Sequence, residues 1–78
     1  MWTEQNGILV KEFKLKSFSD LIARLPSIAE VADEMNHHPD FSVFGYCNIR
    51  FELKTHDKNA ITEKDYRLAE KIDAILER

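Results

Sequence analysis

The run Ile49-Arg50-Phe51-Glu52-Leu53-Lys54-Thr55, IRFELKT, alternates apolar and charged side chains without a break. A period of two belongs to a β-strand with one buried and one wet face, so Ile49, Phe51, Leu53 and Thr55 point to a core and Arg50, Glu52 and Lys54 away from it. The pattern extends the strand back to Tyr46. Gly45 supplies a turn or bulge before it, after a short strand from Phe41 to Phe44.

Further towards the N-terminus, Trp2 to Gln5 and Ile8 to Lys16 flank Asn6-Gly7, a pair suited to the positive φ angles of a tight hairpin turn. Between the two strand pairs the period changes. Phe18, Leu21, Ile22, Leu25, Ile28, Ala29, Ala32 and Met35 recur every three or four residues, which is the stripe of an amphipathic helix. Ser17 with Asp20, or Ser19 alone, can cap its start. Pro26 inside this stripe removes a hydrogen bond and predicts a kink or a break into two shorter helices. Pro39 ends the element by pushing His38 out of the helical region.

Beyond Thr55, His56-Asp57-Lys58-Asn59 leaves the strand. Thr62 with Asp65 resembles a capping box, and Leu68, Ala69, Ile72, Ile75 and Leu76 form the buried stripe of a last helix. The order is ββαββα. It predicts a two-layer α+β fold over residues 1–78 as one domain, with an antiparallel sheet and both helices packed on one face.

Bulk properties narrow the function classes. A chain of 78 residues, 44% hydrophobic and 32% charged, has room for one core and is too apolar for disorder. A net charge of −3 offers no general attraction to nucleic acid or an anionic membrane, and Lys11, Lys14 and Lys16 read as the solvated side of a strand. The single cysteine, Cys47, excludes an internal disulfide and fits a reducing compartment. With no signal-like or membrane-length apolar run, the expectation is a cytoplasmic protein.

The chemistry-bearing residues gather around DEMNHHPD, Asp33 to Asp40. On a helix Asp33 and His37 lie four apart and one above the other, which predicts a carboxylate–imidazole hydrogen bond that fixes the ring's tautomer. His38, before Pro39, should aim its ring elsewhere. His56 falls by parity on the less apolar side of its strand or just past its end. Asp65 continues the apolar stripe of the last helix, and it is equally a helix-start acid facing free N–H groups. Three imidazoles with two acids have what acid–base catalysis near neutral pH requires. A three-histidine zinc site is the rival reading, weakened by adjacent ligands and by the lack of CxxC or HxxxH spacing. Cys47 has no base paired with it for nucleophilic work.

Asp33-x-x-x-His37-His38-Pro39-Asp40, then Tyr46, Thr55-His56-Asp57, Ile61-Thr62-Glu63-x-Asp65 and YRLAEKIDAI resemble the pterin-4a-carbinolamine dehydratase family, from about Trp2 to the C-terminus. The resemblance implies a small α+β protein that assembles as a homodimer or homotetramer. It also implies dehydration of 4a-hydroxytetrahydropterins to quinonoid dihydropterins, recycling the pterin of aromatic amino acid hydroxylases. No metal or organic cofactor is implied. Carried over by motif, His37, His38 and His56 are catalytic and line the pterin pocket, with Asp33 and Asp65 as orienting or binding acids. Phe41, Phe44 and Tyr46 are candidates for an apolar wall against the flat bicyclic ring. The chain departs from the family at the DKNAIT loop after His56, at Cys47 where asparagine commonly stands, and at Pro26.

The family also includes a partner that stabilises dimers of a transcription factor, so a non-catalytic interaction module is the alternative reading, as is a protein that only binds a pterin. A hydroxylase or transcription-factor partner therefore belongs among the expectations, while direct nucleic-acid binding and membrane association do not.

Overall fold

The computed structural model describes residues 1–78. The strand β1 (Thr3–Gln5) turns at Asn6 and Gly7, whose φ angles of 54° and 77° are the left-handed values that this pair tolerates, and returns as β2 (Ile8–Lys14). Then follow α1 (Phe18–Met35), β3 (Asp40–Phe44), β4 (Asn48–Leu53) and α2 (Glu63–Leu76). All pairings are antiparallel, in the order β1-β2-β4-β3. The two hairpins therefore meet through β2 and β4, with Leu9 opposite Leu53 and Phe13 opposite Ile49.

One face of this sheet carries the core. Leu9, Phe13, Ile49, Phe51 and Leu53 pack with Leu21 and Ile28 of α1 and with Leu68, Ile72 and Ile75 of α2, so both helices cover the same face. The α+β architecture expected from the alternating period is the one found. No helix is long and apolar enough to cross a membrane.

The boundaries of β4 differ from expectation. It begins at Asn48 instead of Tyr46, because Gly45 and Tyr46 both adopt left-handed backbone, φ 53° and 55°, in the turn that joins β3 to β4. It ends at Leu53, and Thr55 pairs only locally, across a bridge to Ala60.

Pro26 does not break α1, which runs unbroken for 18 residues. Its ring is exposed, and the carbonyl deprived of an amide partner belongs to Ile22, also exposed, so water can serve it. Ser17 accepts from the Asp20 amide at 3.0 Å and fixes the start. Proline remains the poorest residue for a helix interior, with a partial offset from the stiffer unfolded chain. Pro26→Ala should raise unfolding free energy by about 1–3 kcal/mol in urea denaturation; an unchanged or lower value would show that the helix is strain-free there.

Lys11 is not on the solvated side with Lys14 and Lys16. It shares the face of Leu9 and Phe13, and its stem folds along the core edge until Nζ meets Asp73 at 2.9 Å and Glu77 at 3.0 Å. Burial pulls its pKa down, but hydrogen bonds to Asp73 and Glu77 outweigh that and hold it above the ordinary lysine value. Trp2 Nε1 donates to the same Asp73 at 3.0 Å, tying the N-terminus to α2.

At the other side of the sheet β3 is an edge strand, exposed throughout. Phe41 and Val43 flank Phe51 and Ile49 on the helix-covered face, yet remain 49% and 38% exposed. Phe18 and Ile22 of α1 are also open to solvent. The stripe of α1 is thus wider than the core it covers.

Candidate active site

The site forms where α1 ends. Asn36 adopts the left-handed conformation, φ 51°, and the amides of Asn36 and His37 bond back to the carbonyls of Asp33 and Ala32, each at 3.1 Å. This turn takes His37 off the helix. The expected Asp33–His37 stacking on one helical face is therefore absent, since the four-residue rule needs both residues in the helix.

The structure pairs the acids and histidines differently. His37 Nε2 lies 2.6 Å from Asp65 Oδ1, contributed by the first turn of α2, while His38 Nε2 turns back to Asp33 Oδ1 at 2.9 Å. The first pair is sheltered and the second is exposed. By position, the His37–Asp65 contact is thus less screened by water.

Asp65 has no exposed surface. Its Oδ2 accepts from the Thr62 amide at 2.8 Å and from the Thr55 hydroxyl at 2.9 Å, so the carboxylate closes the start of α2 and supports His37 at once. Both readings of this residue hold together. Thr55 is itself buried, and its Oγ1 lies 2.6 Å from Thr62 Oγ1.

His56 follows Thr55 into a tight loop, closed by hydrogen bonds between the backbones of Thr55 and Ala60 and from the Asn59 amide to the His56 carbonyl. Its ring is exposed and makes no hydrogen bond within the chain. All three histidines line one open polar cavity of about 470 Å³, together with Asn36, Pro39, Asp40, Thr55, Asp57 and Lys64. An apolar groove of about 250 Å³ adjoins it, sharing His38 and Pro39 and lined further by Asp33, Leu25, Ile28, Ala29, Ala32 and Phe41.

Of the residues singled out from sequence, His37, His38 and His56 line the polar cavity, Asp65 supports it from behind, and Asp33 and Phe41 belong to the groove. Phe44 and Tyr46 line neither. Phe44 alternates with Val43 and so points to the opposite sheet face, and Tyr46 sits in the β3–β4 turn, 70% exposed. Asn36, Pro39, Asp40, Thr55, Asp57 and Lys64 also line the cavity without having been singled out from sequence. Thr55 could have been suspected from its parity, a polar side chain on the apolar face of β4. No three His, Cys, Asp or Glu side chains are arranged to hold a metal ion.

The cavity thus offers imidazoles able to give and take protons, one braced by a buried carboxylate, beside an apolar shelf. That suits proton transfers on a flat polar heterocycle. A family model described as "Pterin 4 alpha carbinolamine dehydratase" matches residues 1–75. A protein named "Putative pterin-4-alpha-carbinolamine dehydratase" from Sulfolobus acidocaldarius is 43% identical over 74 residues, covering 95% of this chain and 80% of its own length. Another of the same name, from Herpetosiphon aurantiacus, is 42% identical over 74 residues, covering 95% of this chain and 76% of its own.

Among solved structures, a transcriptional coactivator/pterin dehydratase from Brucella melitensis superposes with a TM-score of 0.90 at 30% identity, over 96% of this chain and 81% of that one. A pterin dehydratase-like protein described as a RuBisCO assembly factor in the α-carboxysome shares the fold, with a TM-score of 0.76 at 22% identity over 97% and 87% of the two chains.

Proposed function

Because the chain belongs to the pterin 4 alpha carbinolamine dehydratase family, we propose that it removes water from 4a-hydroxytetrahydropterins, giving quinonoid dihydropterins and so returning pterin to the aromatic amino acid hydroxylases. One observation supports the reading most: three histidines converge on one polar cavity, and one of them is hydrogen-bonded to a carboxylate with no exposed surface. Loss of water needs one proton delivered to the departing hydroxyl and one taken from the adjacent ring nitrogen. His37 and His56 are the acid–base pair of this reading. His38, held by Asp33, binds the pterin, with Phe41 on the apolar side. The reaction needs neither metal nor organic cofactor, and its place is the cytoplasm.

The test is direct. A dihydropterin added to protein labelled with ¹⁵N-histidine should displace the ring signals of His37, His38 and His56 together. Saturating pterin that moves none of the three would remove the cavity from consideration as the binding site.

We also propose that the protein self-associates through the β3 edge and the exposed apolar residues beside it. A bare edge strand with Phe41 and Val43 half open invites pairing with a second copy. Light scattering should give a multiple of the 9.1 kDa chain mass, and Val43→Lys should shift the population towards monomer. A wild-type protein that stays monomeric at high concentration would contradict this. The second reading is a protein-interaction role carried by Val43 and by Phe18 and Ile22 of α1, exposed apolar residues that do not line the polar cavity.

A further inference from the structure

We propose that Thr55 is a positioning residue: through Asp65 it fixes neutral His37 as the tautomer protonated at Nε2, leaving Nδ1 as the atom that exchanges a proton with the substrate. The inference rests on the pterin dehydratase reading and deepens it.

Asp65 Oδ2 already has two donors, the Thr62 amide at 2.8 Å and the Thr55 hydroxyl at 2.9 Å. Thr55 spends its only hydrogen there, so at the 2.6 Å contact the Thr62 hydroxyl must be the donor and Thr55 Oγ1 the acceptor. Every other group around the carboxylate therefore donates to it. Oδ1 is left as an acceptor facing His37 Nε2 at 2.6 Å, and Nε2 must carry the hydrogen.

The second ring nitrogen follows from burial. No buried side-chain nitrogen or oxygen lacks a partner, and His37 Nδ1 makes no hydrogen bond, so Nδ1 is not sealed from solvent. Since His37 lines the polar cavity, this is the nitrogen a ligand there can reach. In the dehydration, Nδ1 takes the proton of the ring N–H. The N–H electron pair forms the C=N bond as the C4a–O bond breaks, and the hydroxyl leaves as water with a proton from His56.

Removing the Thr55 hydroxyl leaves Thr62 without an acceptor and Oδ2 with one donor fewer. The carboxylate keeps the Thr62 amide and His37 Nε2 but is held by one bond fewer, so it shifts more readily and its grip on one tautomer weakens. Thr55→Val keeps the shape and removes the hydrogen bond.

The experiment has two arms. Long-range ¹H–¹⁵N spectra of histidine-labelled wild-type protein should show neutral His37 protonated at Nε2, and Thr55→Val should introduce the Nδ1-protonated form. In the dehydration assay Thr55→Val should lower kcat about 10- to 100-fold, as expected for loss of a group that orients a functional histidine from behind. Its KM should stay within about twofold because the hydroxyl faces the carboxylate, and its pH profile should be displaced. Thr55→Ser should restore both. Nδ1-protonated His37 in the wild type overturns the proposal, even if the variant fails to fold. So does a Thr55→Val protein with unchanged tautomer and kcat. The expected tautomer pattern in a protein without dehydratase activity would instead overturn the proposed reaction and leave the proton arrangement standing.

Discussion

Asp65→Ala should lower the unfolding free energy by about 3–5 kcal/mol, because several buried donors lose their acceptor at once, each at a cost of about 1–3 kcal/mol. The change leaves the Thr55 hydroxyl, the Thr62 amide and His37 Nε2 without their acceptor at a site closed to water. A domain of this length has a total stability of roughly 4–12 kcal/mol, so the loss is a large share of it. Asp65→Asn should also be costly, because an amide presents hydrogens where the surrounding groups already donate. Urea unfolding followed by circular dichroism checks both. An alanine variant within about 1 kcal/mol of wild type would mean that water or side-chain rotation satisfies those groups, and the network would lose its structural role.

The second large effect is on activity. His37→Ala and His56→Ala should each reduce kcat by about 10²–10⁴, the range expected for loss of a positioned proton donor or acceptor. Their stabilities should differ. His56 is exposed and makes no hydrogen bond, so its removal should change stability by no more than about 0.5 kcal/mol. Loss of His37 leaves one oxygen of a buried carboxylate unpaired, at a cost of about 1–3 kcal/mol. Parallel denaturation and dehydration measurements separate the two. Full activity in a folded His56→Ala variant would remove His56 from the proton transfers.

The fold was legible because its signals are local. IRFELKT alternates, Asn6-Gly7 turns, and the stripes of α1 and α2 repeat every three or four residues, each agreeing with the next. Three local features misled. Pro26 promised a kink or a break, and the break does not occur because the proline sits on the open side of a helix anchored by Leu21 and Ile28. Parity extended β4 to Tyr46 although Gly45 and Tyr46 turn through left-handed backbone. Lys11 read as solvated beside Lys14 and Lys16, when its partners Asp73 and Glu77 lie more than sixty residues away.

The site shows the same division. That histidines and acids would gather was readable from DEMNHHPD, Thr55-His56 and Thr62-x-x-Asp65. Which acid meets which histidine was not. Spacing along a helix favours Asp33 with His37, but Asn36 ends the helix one residue too soon, and the partner of His37 comes instead from α2. A contact set by the packing of two helices has no signature in either helix alone. Likewise Phe44 looked as good an apolar wall as Phe41, and only the register of β3 on β4 separates them.

Dehydratase activity is tested by following freshly generated 4a-hydroxytetrahydropterin by ultraviolet absorbance, with and without the wild-type protein. The protein should give saturable acceleration well above the rate in buffer. A folded protein that binds the pterin and leaves the rate at the buffer value would contradict the dehydratase reading.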